Sequence, residues 1–317
     1  MKRPSQKDHN PFPNSDTNKR YYTFDYYLRR RFGKKCAKIP LDAGFTCPNV
    51  DGSKGNGGCI YCLGGSAAVT AVGKTAEEQY ATGVAAVSGK WKDFLTIPYL
   101  QSGSCTYADT EKLERLYRSC ASLPNAAMFA IATRADCLPD ETIETIKNIS
   151  EEIPVLVELG LQTSDDKTAE AINRCHTTAE FINGYNRLRS VGGDISICIH
   201  IINGLPGETH ENMLETAKFV ASLRPDMVKI HLLHVLRGTE LYRMYEAGEY
   251  IPMDREDYIR TVCDQIELLP PDMVIARLTG DGFGEDLVSP DWSRRKKSVI
   301  NDIDKELFRR GTYQGIK

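Results

Sequence analysis

Three cysteines in one glycine-rich segment are the residues of this chain best suited to carry chemistry. Cys47, Cys59 and Cys62 lie in the run GFTCPNVDGSKGNGGCIYC, with the spacing Cys-x11-Cys-x2-Cys. Three cysteine thiolates can bind three corners of a cubic iron–sulfur cluster and leave the fourth iron open to another molecule. The glycine, asparagine and aspartate residues between them favour turns and let the backbone wrap closely around a group. The loop at residues 43–62 is therefore predicted to enclose a metal cofactor.

A zinc site is the alternative for these cysteines. Cys-x2-Cys pairs are common zinc ligands, but a structural zinc site needs four ligands. No second pair of this kind and no histidine pair lies near the loop in the sequence. Cys36 is a candidate for the fourth ligand, although the first residue of a predicted strand is expected to face the core. The ligand count favours an iron–sulfur cluster and leaves a non-catalytic zinc-binding protein as the alternative.

The composition is that of an ordinary globular protein, with 41% hydrophobic and 26% charged residues in 317. No apolar run approaches the roughly 18 residues of a membrane helix, and the first residues lack the apolar stretch of a signal peptide. A cytoplasmic location is therefore expected. In that reducing compartment the ten cysteines are not expected to form disulfides, and Cys120 and Cys263 are predicted to be core residues.

Charge is distributed unevenly along the chain, whose net charge is −3. Residues 1–40 carry +8, residues 292–317 carry +5, and the residues between them carry −16. Such segregation can mark a surface that binds nucleic acid, or simply a solvated tail and a charged terminal helix. The residues predicted to contact nucleic acid are Arg29, Arg30, Arg31, Lys34, Arg294, Arg295, Lys296 and Lys297.

Strand and helix patterns alternate from Cys36 onward, which predicts an α/β fold with a parallel sheet. Six strands are predicted at Cys36–Leu41, Phe94–Leu100, Ala127–Thr133, Val155–Leu161, Ile195–Ile202 and Met227–Leu236. Helices are predicted at about Thr75–Val87, Thr110–Ser122, Asp140–Ser150, Asp165–Val191 (broken near His176) and Glu208–Ser222. An open doubly wound sheet would give the same rhythm, but polar residues cluster just after the strands, and a partial (β/α)6 barrel of the TIM type is our prediction.

Three regions are predicted along the chain. Residues 1–18 are polar and without periodicity, which is typical of a disordered arm. Residues 19–252 would form the barrel. Residues 253–317 would form a C-terminal extension, with a helix at 256–269, a last strand at Met273–Leu278 and a basic helix at Ser298–Arg310.

The cysteine loop and five further segments together resemble a known enzyme family. The segments are LDAGFTCPNVDG with GGCIYC, VELGLQTSDDKTAEAINRCHT, HIINGLPGET, VKIHLLHVLRGTEL, RLTGDG and SPDW, within a resemblance that extends from about Tyr21 to Gly315. They are similar to those of the radical S-adenosylmethionine (SAM) enzymes, in particular the YhcC-like bacterial branch related to the elongator catalytic subunit. The wider superfamily usually has a Cys-x3-Cys-x2-Cys loop, and this branch has the longer first gap.

The resemblance implies an oxygen-sensitive enzyme with a [4Fe–4S] cluster and SAM as cofactors. Cys47, Cys59 and Cys62 would ligate the cluster, and SAM would bind the fourth iron through its amino and carboxylate groups. An electron from a reducing partner, such as flavodoxin or ferredoxin, would cleave SAM to methionine and a 5′-deoxyadenosyl radical that removes hydrogen from a substrate.

The same resemblance implies the residues that contact SAM. Tyr61 would lie near the adenine, Gln101 and Ser102 near the amino group, and Gly204 and Leu205 against the adenine. Glu158, Gln162 and Arg174 would contact the ribose and the carboxylate.

Two further thiols follow predicted strands, and two histidines lie on one. Cys105 and Cys137 are candidates for a second thiol that quenches a radical or binds substrate. His231 and His234 have an odd spacing on the sixth predicted strand, so they are expected to point to opposite faces of the sheet.

For the substrate, the resemblance implies tRNA, with chemistry on the C5 side chain of the wobble uridine. The run RYYTFDYYLRRRFGKK combines cations for phosphates with aromatic rings that can stack on bases. The same run could instead form an amphipathic helix. A radical SAM enzyme that acts on a small molecule or a protein is the alternative, and neither the oligomeric state nor the fate of SAM can be inferred from the sequence.

Overall fold

Strands and helices alternate along the chain, as the sequence pattern predicts. The computed structural model describes residues 10–63, 74–280 and 284–317. The strands are β1 Cys36–Leu41, β2 Leu95–Leu100, β3 Phe129–Thr133, β4 Val155–Gln162, β5 Ile195–Asn203, β6 Met227–Leu232, β7 Val235–Leu236, β8 Val274–Arg277 and β9 Leu287–Ser289. The helices are α1 Phe24–Phe32, α2 Ala76–Ser88, α3 Thr110–Ala121, α4 Asp140–Ser150, α5 Asp166–Ala171, α6 Thr178–Ser190, α7 His210–Leu223, α8 Glu240–Glu246, α9 Arg255–Leu268 and α10 Lys296–Arg310.

Seven strands form one sheet, in the order β1-β2-β3-β4-β5-β6-β8. The pairs β1/β2, β2/β3, β3/β4 and β6/β8 are parallel. The prediction of six strands was therefore one too low, because the last strand, assigned to the C-terminal extension, pairs with β6 as the seventh member of the sheet. The two short strands β7 and β9 form a separate antiparallel pair.

The apolar character of the strands explains why they lie inside the fold. Seven of the eight residues of β4 are buried, as expected for a parallel strand covered on both faces. Threonine capping boxes begin α2, α6 and α7, at Thr75, Thr177 and Thr209. Cys120 and Cys263 are fully buried, which confirms them as core residues.

The chain forms two compact units. The first, which we call the cluster-loop unit, contains Leu28–Leu161 and Ala169–Cys198. The second, the C-terminal unit, contains the chain up to Tyr27, Gln162–Thr168 and Ile199–Lys317. None of the helices among the described residues has the length and apolar character needed to cross a membrane.

Both ends of the described chain meet at the edge strand β8 in the C-terminal unit. Thr23 forms a parallel bridge with Ile275, which extends the sheet by one short pairing. The fully buried Gln314 accepts a hydrogen bond from the backbone N–H of Tyr22 and donates to the carbonyls of Pro270 and Met273. One glutamine side chain therefore joins three separate segments of the chain.

The predicted disordered arm includes residues 1–9, which lie outside the described residues, and residues 10–18. The latter contain no helix or strand but are attached to the C-terminal unit. Phe12 is buried, its ring centroid lies 6.4 Å from that of Tyr313, and Asn14 donates a hydrogen bond to the carbonyl of Pro271. The arm therefore has an anchored end.

The sixth predicted strand and its two histidines differ from the sequence pattern. The predicted strand Met227–Leu236 is divided, because β6 ends at Leu232 and β7 pairs separately with β9. Because β6 ends at Leu232, the alternation of side chains between the two faces does not extend to His234. The two histidines instead lie near the same residue, since a Cβ on Gly280 would be 3.7 Å from Nδ1 of His234 and 3.9 Å from Nδ1 of His231. The prediction that these two histidines face opposite sides was wrong. Within the aromatic and basic run, Phe24–Phe32 form helix α1, in agreement with the helical alternative for this run.

Candidate active site

The cysteine loop, residues 42–63, follows β1 in the cluster-loop unit. Its backbone turns back on itself after the first cysteine, where the carbonyl of Cys47 accepts hydrogen bonds from the N–H groups of Val50 and Asp51 at 2.8 and 3.1 Å. A second turn brings the N–H of Cys62 to the carbonyl of Cys59 at 2.9 Å. None of the three cysteines forms a disulfide among the described residues, and Cys59 is buried while the other two are partly exposed. The loop thus presents three thiols from two adjacent turns.

The loop is held by the segment between α5 and α6. The side-chain amide of Asn173 donates to the carbonyls of Asn56 and Gly58 at 3.1 and 2.8 Å. The N–H of Ile60 donates to the carbonyl of Ile172 at 3.1 Å. Asn173 has a φ of 54°, a left-handed conformation that asparagine tolerates better than most residues. Two segments more than a hundred residues apart are therefore joined at the glycine-rich part of the loop.

A buried ion pair supports the same region. The guanidinium of Arg134 binds both oxygens of Asp136 at 2.9 Å and also donates to the carbonyls of Arg174 and Cys175 at 3.0 and 3.2 Å. Lys54, from the loop, reaches Asp136 at 2.7 Å. Burial alone would raise the pKa of Asp136, but its bonds to Arg134 and Lys54 hold that pKa well below the ordinary range. The carboxylate is therefore ionised and fixes the loop to the end of β3.

Arg174 is a buried cation beside the cysteines. It lies between two residues in the left-handed conformation, Asn173 at a φ of 54° and Cys175 at 55°. Its Nη2 donates to the carbonyl of Gly160 at 2.5 Å, and its Nε is buried without a hydrogen-bond partner among the residues that the structure describes. An unsatisfied buried donor on a guanidinium is costly, and it is well placed to bind an anionic group.

Tyr61 lies in the cysteine loop, between Cys59 and Cys62 in the sequence. Desolvation raises the pKa of Tyr61 well above its ordinary value, and the nearby Cys59 adds to the rise. The positive charge of Arg174 opposes it. These effects indicate that the phenol lies near both Cys59 and Arg174, and its contact with the adenine of SAM remains a prediction.

The run after β2 lies directly against the start of the loop. A Cβ on Gly103, whose φ is 74°, would lie 2.3 Å from the carbonyl oxygen of Phe45, so only glycine fits there. The N–H of Ser104 donates to the carbonyl of Thr46 at 2.9 Å. Gln101 and Ser102 are thereby placed next to the cysteine loop, and their contact with SAM remains a prediction.

Glu158 lies on β4 and is 1% exposed. It accepts a hydrogen bond from the hydroxyl of Tyr99 at 2.5 Å and forms an ion pair with Lys38. These partners offset the cost of burying a carboxylate. A contact with the SAM ribose remains a prediction for this residue.

The remaining predicted SAM contacts lie in the C-terminal unit. Gln162 has a left-handed φ of 76°, and Gly204 has a φ of 85° while its carbonyl accepts a hydrogen bond from Tyr250. Leu205 is buried. Sequence reasoning missed Glu208, which follows in the same turn and accepts a hydrogen bond from Thr163 at 2.6 Å. Burial raises the pKa of Glu208 to about 7.

The two candidate thiols are both in the core. Cys105 is 1% exposed and Cys137 is 6% exposed. Desolvation raises the pKa of Cys105 far above its ordinary value and that of Cys137 to about 12. Both are therefore protonated at neutral pH, and a thiol must be deprotonated to be a good nucleophile. Their role in quenching a radical or binding substrate remains a prediction.

Several of the cations predicted to bind nucleic acid have internal partners. Arg31 pairs with Asp194 at 2.5 Å and Lys34 with Asp93 at 2.7 Å. Arg294 pairs with Asp291 at 3.0 Å and donates to the carbonyl of Gly284. Among the others, the exposed residues are Arg30, Arg295 and Lys297, while Arg29 and Lys296 are half-buried.

Cys175 is a fourth cysteine near the loop that sequence reasoning missed. A Cβ on Gly55 would lie 2.6 Å from its sulfur. Desolvation raises the pKa of Cys175, and the nearby Cys59 and Cys47 add to the rise, while Arg134 and Arg174 oppose it. It follows Arg174 directly, which is the signal that could have singled it out.

The thiols fit a cluster better than a single ion. Among the described residues, Cys47, Cys59, Cys62 and Cys175 do not form a group whose ligand atoms all lie within 4.8 Å of one another. The ligands of one zinc ion must converge in that way, whereas the thiolates of a cluster bind different irons. Three loop thiols beside an arginine with an unsatisfied donor are consistent with an iron–sulfur cluster and SAM.

Sequence comparison assigns the family. The Radical SAM superfamily pattern matches residues 52–220, and the radical SAM C-terminal domain matches residues 225–309. The chain belongs to the radical SAM superfamily. It is 44% identical to YtqA of Bacillus subtilis over 308 residues, which is 96% of this chain and 95% of that protein. It is 32% identical to YhcC of Escherichia coli over 285 residues, 90% of this chain and 91% of that protein.

This radical SAM protein is also similar to parts of two longer proteins. A tRNA uridine(34) acetyltransferase of Methanocaldococcus jannaschii is 30% identical over 154 residues, which is 48% of this chain and 28% of that protein. The structure of archaeal Elp3 from Methanocaldococcus infernus superposes with a TM-score of 0.67 at 18% identity, over 88% of this chain. This chain spans 64% of that Elp3 chain. The likeness confirms the predicted fold class, an α/β partial barrel.

Proposed function

We propose that the protein is a radical SAM enzyme that cleaves SAM reductively at a [4Fe–4S] cluster bound by Cys47, Cys59 and Cys62. The observation that carries the proposal is the buried, unsatisfied Nε of Arg174, in a segment whose Ile172 and Asn173 are hydrogen-bonded to the cysteine loop. When bound, the cluster and SAM supply electron-driven bond cleavage and a carbon-centred radical that abstracts hydrogen. Membership of the superfamily supports this chemistry.

The chain's own residues would bind and orient the cofactors. The free Nε–H of Arg174 is suited to donate to the SAM carboxylate, because a charge-assisted hydrogen bond to a carboxylate is among the strongest available. Tyr61 would contribute an aromatic surface beside the last cysteine. The burial of Cys59 and the contact of Gly103 with the loop would limit the access of water to the site.

For the substrate we propose tRNA, modified at the C5 side chain of the wobble uridine. Two observations support this. A 154-residue segment is similar to a tRNA uridine(34) acetyltransferase, and basic residues concentrate at residues 1–40 and 292–317. Cations in such segments can neutralise phosphates.

The first experiment tests the cofactor chemistry. The protein is reconstituted without oxygen, reduced in the presence of SAM and assayed for 5′-deoxyadenosine. The parent should form product and Cys59→Ala should form none, because the cluster would lose a ligand. Cys36→Ala is the matched control, since Cys36 lies on β1 outside the cysteine loop, and it should retain the parent rate within about twofold.

Metal analysis tests the alternative of a zinc-binding protein. Four irons and four sulfides per chain are expected after reconstitution, as a [4Fe–4S] cluster requires. One zinc with no iron or sulfide would contradict the proposed function.

The second experiment tests tRNA binding. Replacing Arg29, Arg30 and Arg31 with glutamate should weaken tRNA binding and make the affinity less dependent on salt. The slope of the logarithm of the binding constant against the logarithm of the salt concentration should decrease in size by roughly 0.9 for each phosphate that is no longer neutralised. Arg115→Glu is the matched control, because Arg115 is an exposed cation on α3 outside the basic segments. Equal affinity and slope in the parent and the triple variant would contradict this role, and no salt-dependent affinity in the parent would favour a small-molecule or protein substrate.

A further inference from the structure

Asn49 is a buried polar residue beside a predicted cluster ligand. It lies two residues after Cys47 and is fully buried. Its Nδ2 is 2.5 Å from the carbonyl oxygen of Asn173 and 3.6 Å from the sulfur of Cys59. A side-chain amide nitrogen carries two hydrogens. One can therefore serve the carbonyl while the other is directed at the sulfur.

The surroundings fix the orientation of this amide. The carbonyl of Asn173 can only accept a hydrogen bond, so the NH2 group of Asn49 must face it. The reverse orientation would place Oδ1 against both that carbonyl and the sulfur of Cys59, two groups rich in electrons. The hydrogen-bond partners thus direct the donor side of Asn49 toward Cys59.

The opposite end of the amide is confined by the loop. Oδ1 of Asn49 is buried and accepts no hydrogen bond from the described residues. A Cβ on Gly55 would lie 2.3 Å from that oxygen, so a glycine at this position is required for Asn49 to fit. A buried acceptor without a donor is costly. The protein keeps a costly arrangement in which the NH2 group faces the sulfur.

We propose that Asn49 is a positioning residue that donates an N–H···S hydrogen bond to the Cys59 thiolate and raises the reduction potential of the cluster. The inference rests on the proposed function, because it assigns Cys59 to an iron. A donor to a ligating sulfur withdraws negative charge, and a cluster becomes more negative when it accepts an electron. The hydrogen bond therefore stabilises the reduced cluster relative to the oxidised one.

The test measures potential and iron content and does not depend on activity. Asn49→Ala removes the donor, and Asn49→Asp replaces it with an acceptor of the same shape. Asn56→Asp is the matched control, because it adds the same charge to an exposed position of the same loop. Each variant is reconstituted without oxygen, assayed for iron and sulfide, and titrated while the reduced cluster is followed by electron paramagnetic resonance.

At the potential that half reduces the parent cluster, the ratio of reduced to oxidised cluster should fall about tenfold in both Asn49 variants. That fall corresponds to a shift of about 59 mV toward negative potential for one electron. Asn56→Asp should shift the reduction potential clearly less than the Asn49 variants do. Iron release to a chelator should be faster in the Asn49 variants.

The possible outcomes separate this inference from the proposed function. A parent protein that takes up no iron and sulfide would overturn the proposed function and this inference together. A parent with a normal cluster and Asn49 variants of unchanged potential would overturn only the role of Asn49. Failure of both Asn49 variants to hold a cluster would also contradict it, because a donor that tunes the potential is not required for assembly.

Discussion

The cysteine loop at residues 42–63 and the basic segment at residues 292–317 are both rich in polar residues, but they use them differently. In the loop, Lys54 binds Asp136 from a distant segment, and that carboxylate is 3% exposed. In the basic segment, some cations pair with acids three or four residues away on the same helix, as Arg309 does with Glu306 and Lys305 with Asp302. Lys54 is thus fixed by a buried carboxylate from a distant segment, whereas these cations of the basic segment form local pairs at the surface.

This difference shows that charge in a sequence does not by itself indicate a site. Exposed ion pairs contribute about 0–1 kcal/mol because water and salt screen them. A buried pair is costly to break, because it leaves one charge without compensation. Burial, and not the number of charges, separates the region predicted to do chemistry from the region predicted to bind tRNA.

The largest expected effect comes from breaking the buried pair beneath the loop. Asp136→Asn leaves Arg134 buried without its carboxylate and should lower the free energy of unfolding by about 3–5 kcal/mol. Asp291→Asn is the counterpart at the start of the basic segment, because its pair with Arg294 is exposed, and this change should lower the free energy of unfolding by less than about 1 kcal/mol. Urea denaturation of the cluster-free protein measures both. Similar losses in the two variants would remove the distinction between the regions.

An intermediate effect is expected from two glycines with positive φ. Gly103→Ala would strain the backbone and drive a Cβ into the carbonyl of Phe45, with an expected loss of about 3 kcal/mol. Gly311, which ends α10 at a φ of 65°, has open space around it. Gly311→Ala should therefore cost only the left-handed strain, about 1–2 kcal/mol. Thermal unfolding compares the two variants. Equal shifts in melting temperature would show that Gly103 is not in tight contact with the loop.

The smallest effect concerns pH. Hydrogen bonds from Arg309 and Arg310 lower the pKa of Glu306 from 4.5 to about 2. The folded state therefore binds fewer protons than the unfolded state between these values. The stabilisation is complete above about pH 4.5 and is lost as the pH falls through 2.

Glu306→Gln should cost about 1 kcal/mol at pH 6, allowing for solvent screening. The difference from the parent should shrink progressively between pH 4.5 and pH 2. Denaturant titrations of the cluster-free protein at pH 6, 4 and 3 measure it. A constant difference over this range would show that the ionised carboxylate does not act through the two arginines.

Much of the fold could be predicted from periodicity. The strand and helix starts at Cys36, Thr110, Asp140, Val155, Ile195 and Met227 agree with the structure, because apolar runs and capping residues are local signals. The place of β8 in the sheet could not be predicted, since pairing between distant strands leaves no local mark. The division of the strand after Leu232 was missed for the same reason, because it depends on the pairing of β7 with β9.

The candidate site was predictable only where a motif names its residues. The superfamily is confirmed. The spacing of the three cysteines singled them out, and the resemblance singled out Tyr61 and Arg174. Asn49, Asn173 and the pair of Arg134 with Asp136 were not. Their importance lies in bonds between side chains and the backbone of segments remote in sequence, and such bonds can be identified only once the chain has folded.

Gln314 has a consequence for how the protein is made. Its side chain binds Tyr22 near the start of the chain and the segment from Pro270 to Met273 before β8. A ribosome synthesises residues 22 and 23 nearly three hundred residues before it reaches this glutamine. Tyr22 and Thr23 therefore remain without this partner, and their edge pairing is incomplete, until the chain has been extended by nearly three hundred further residues.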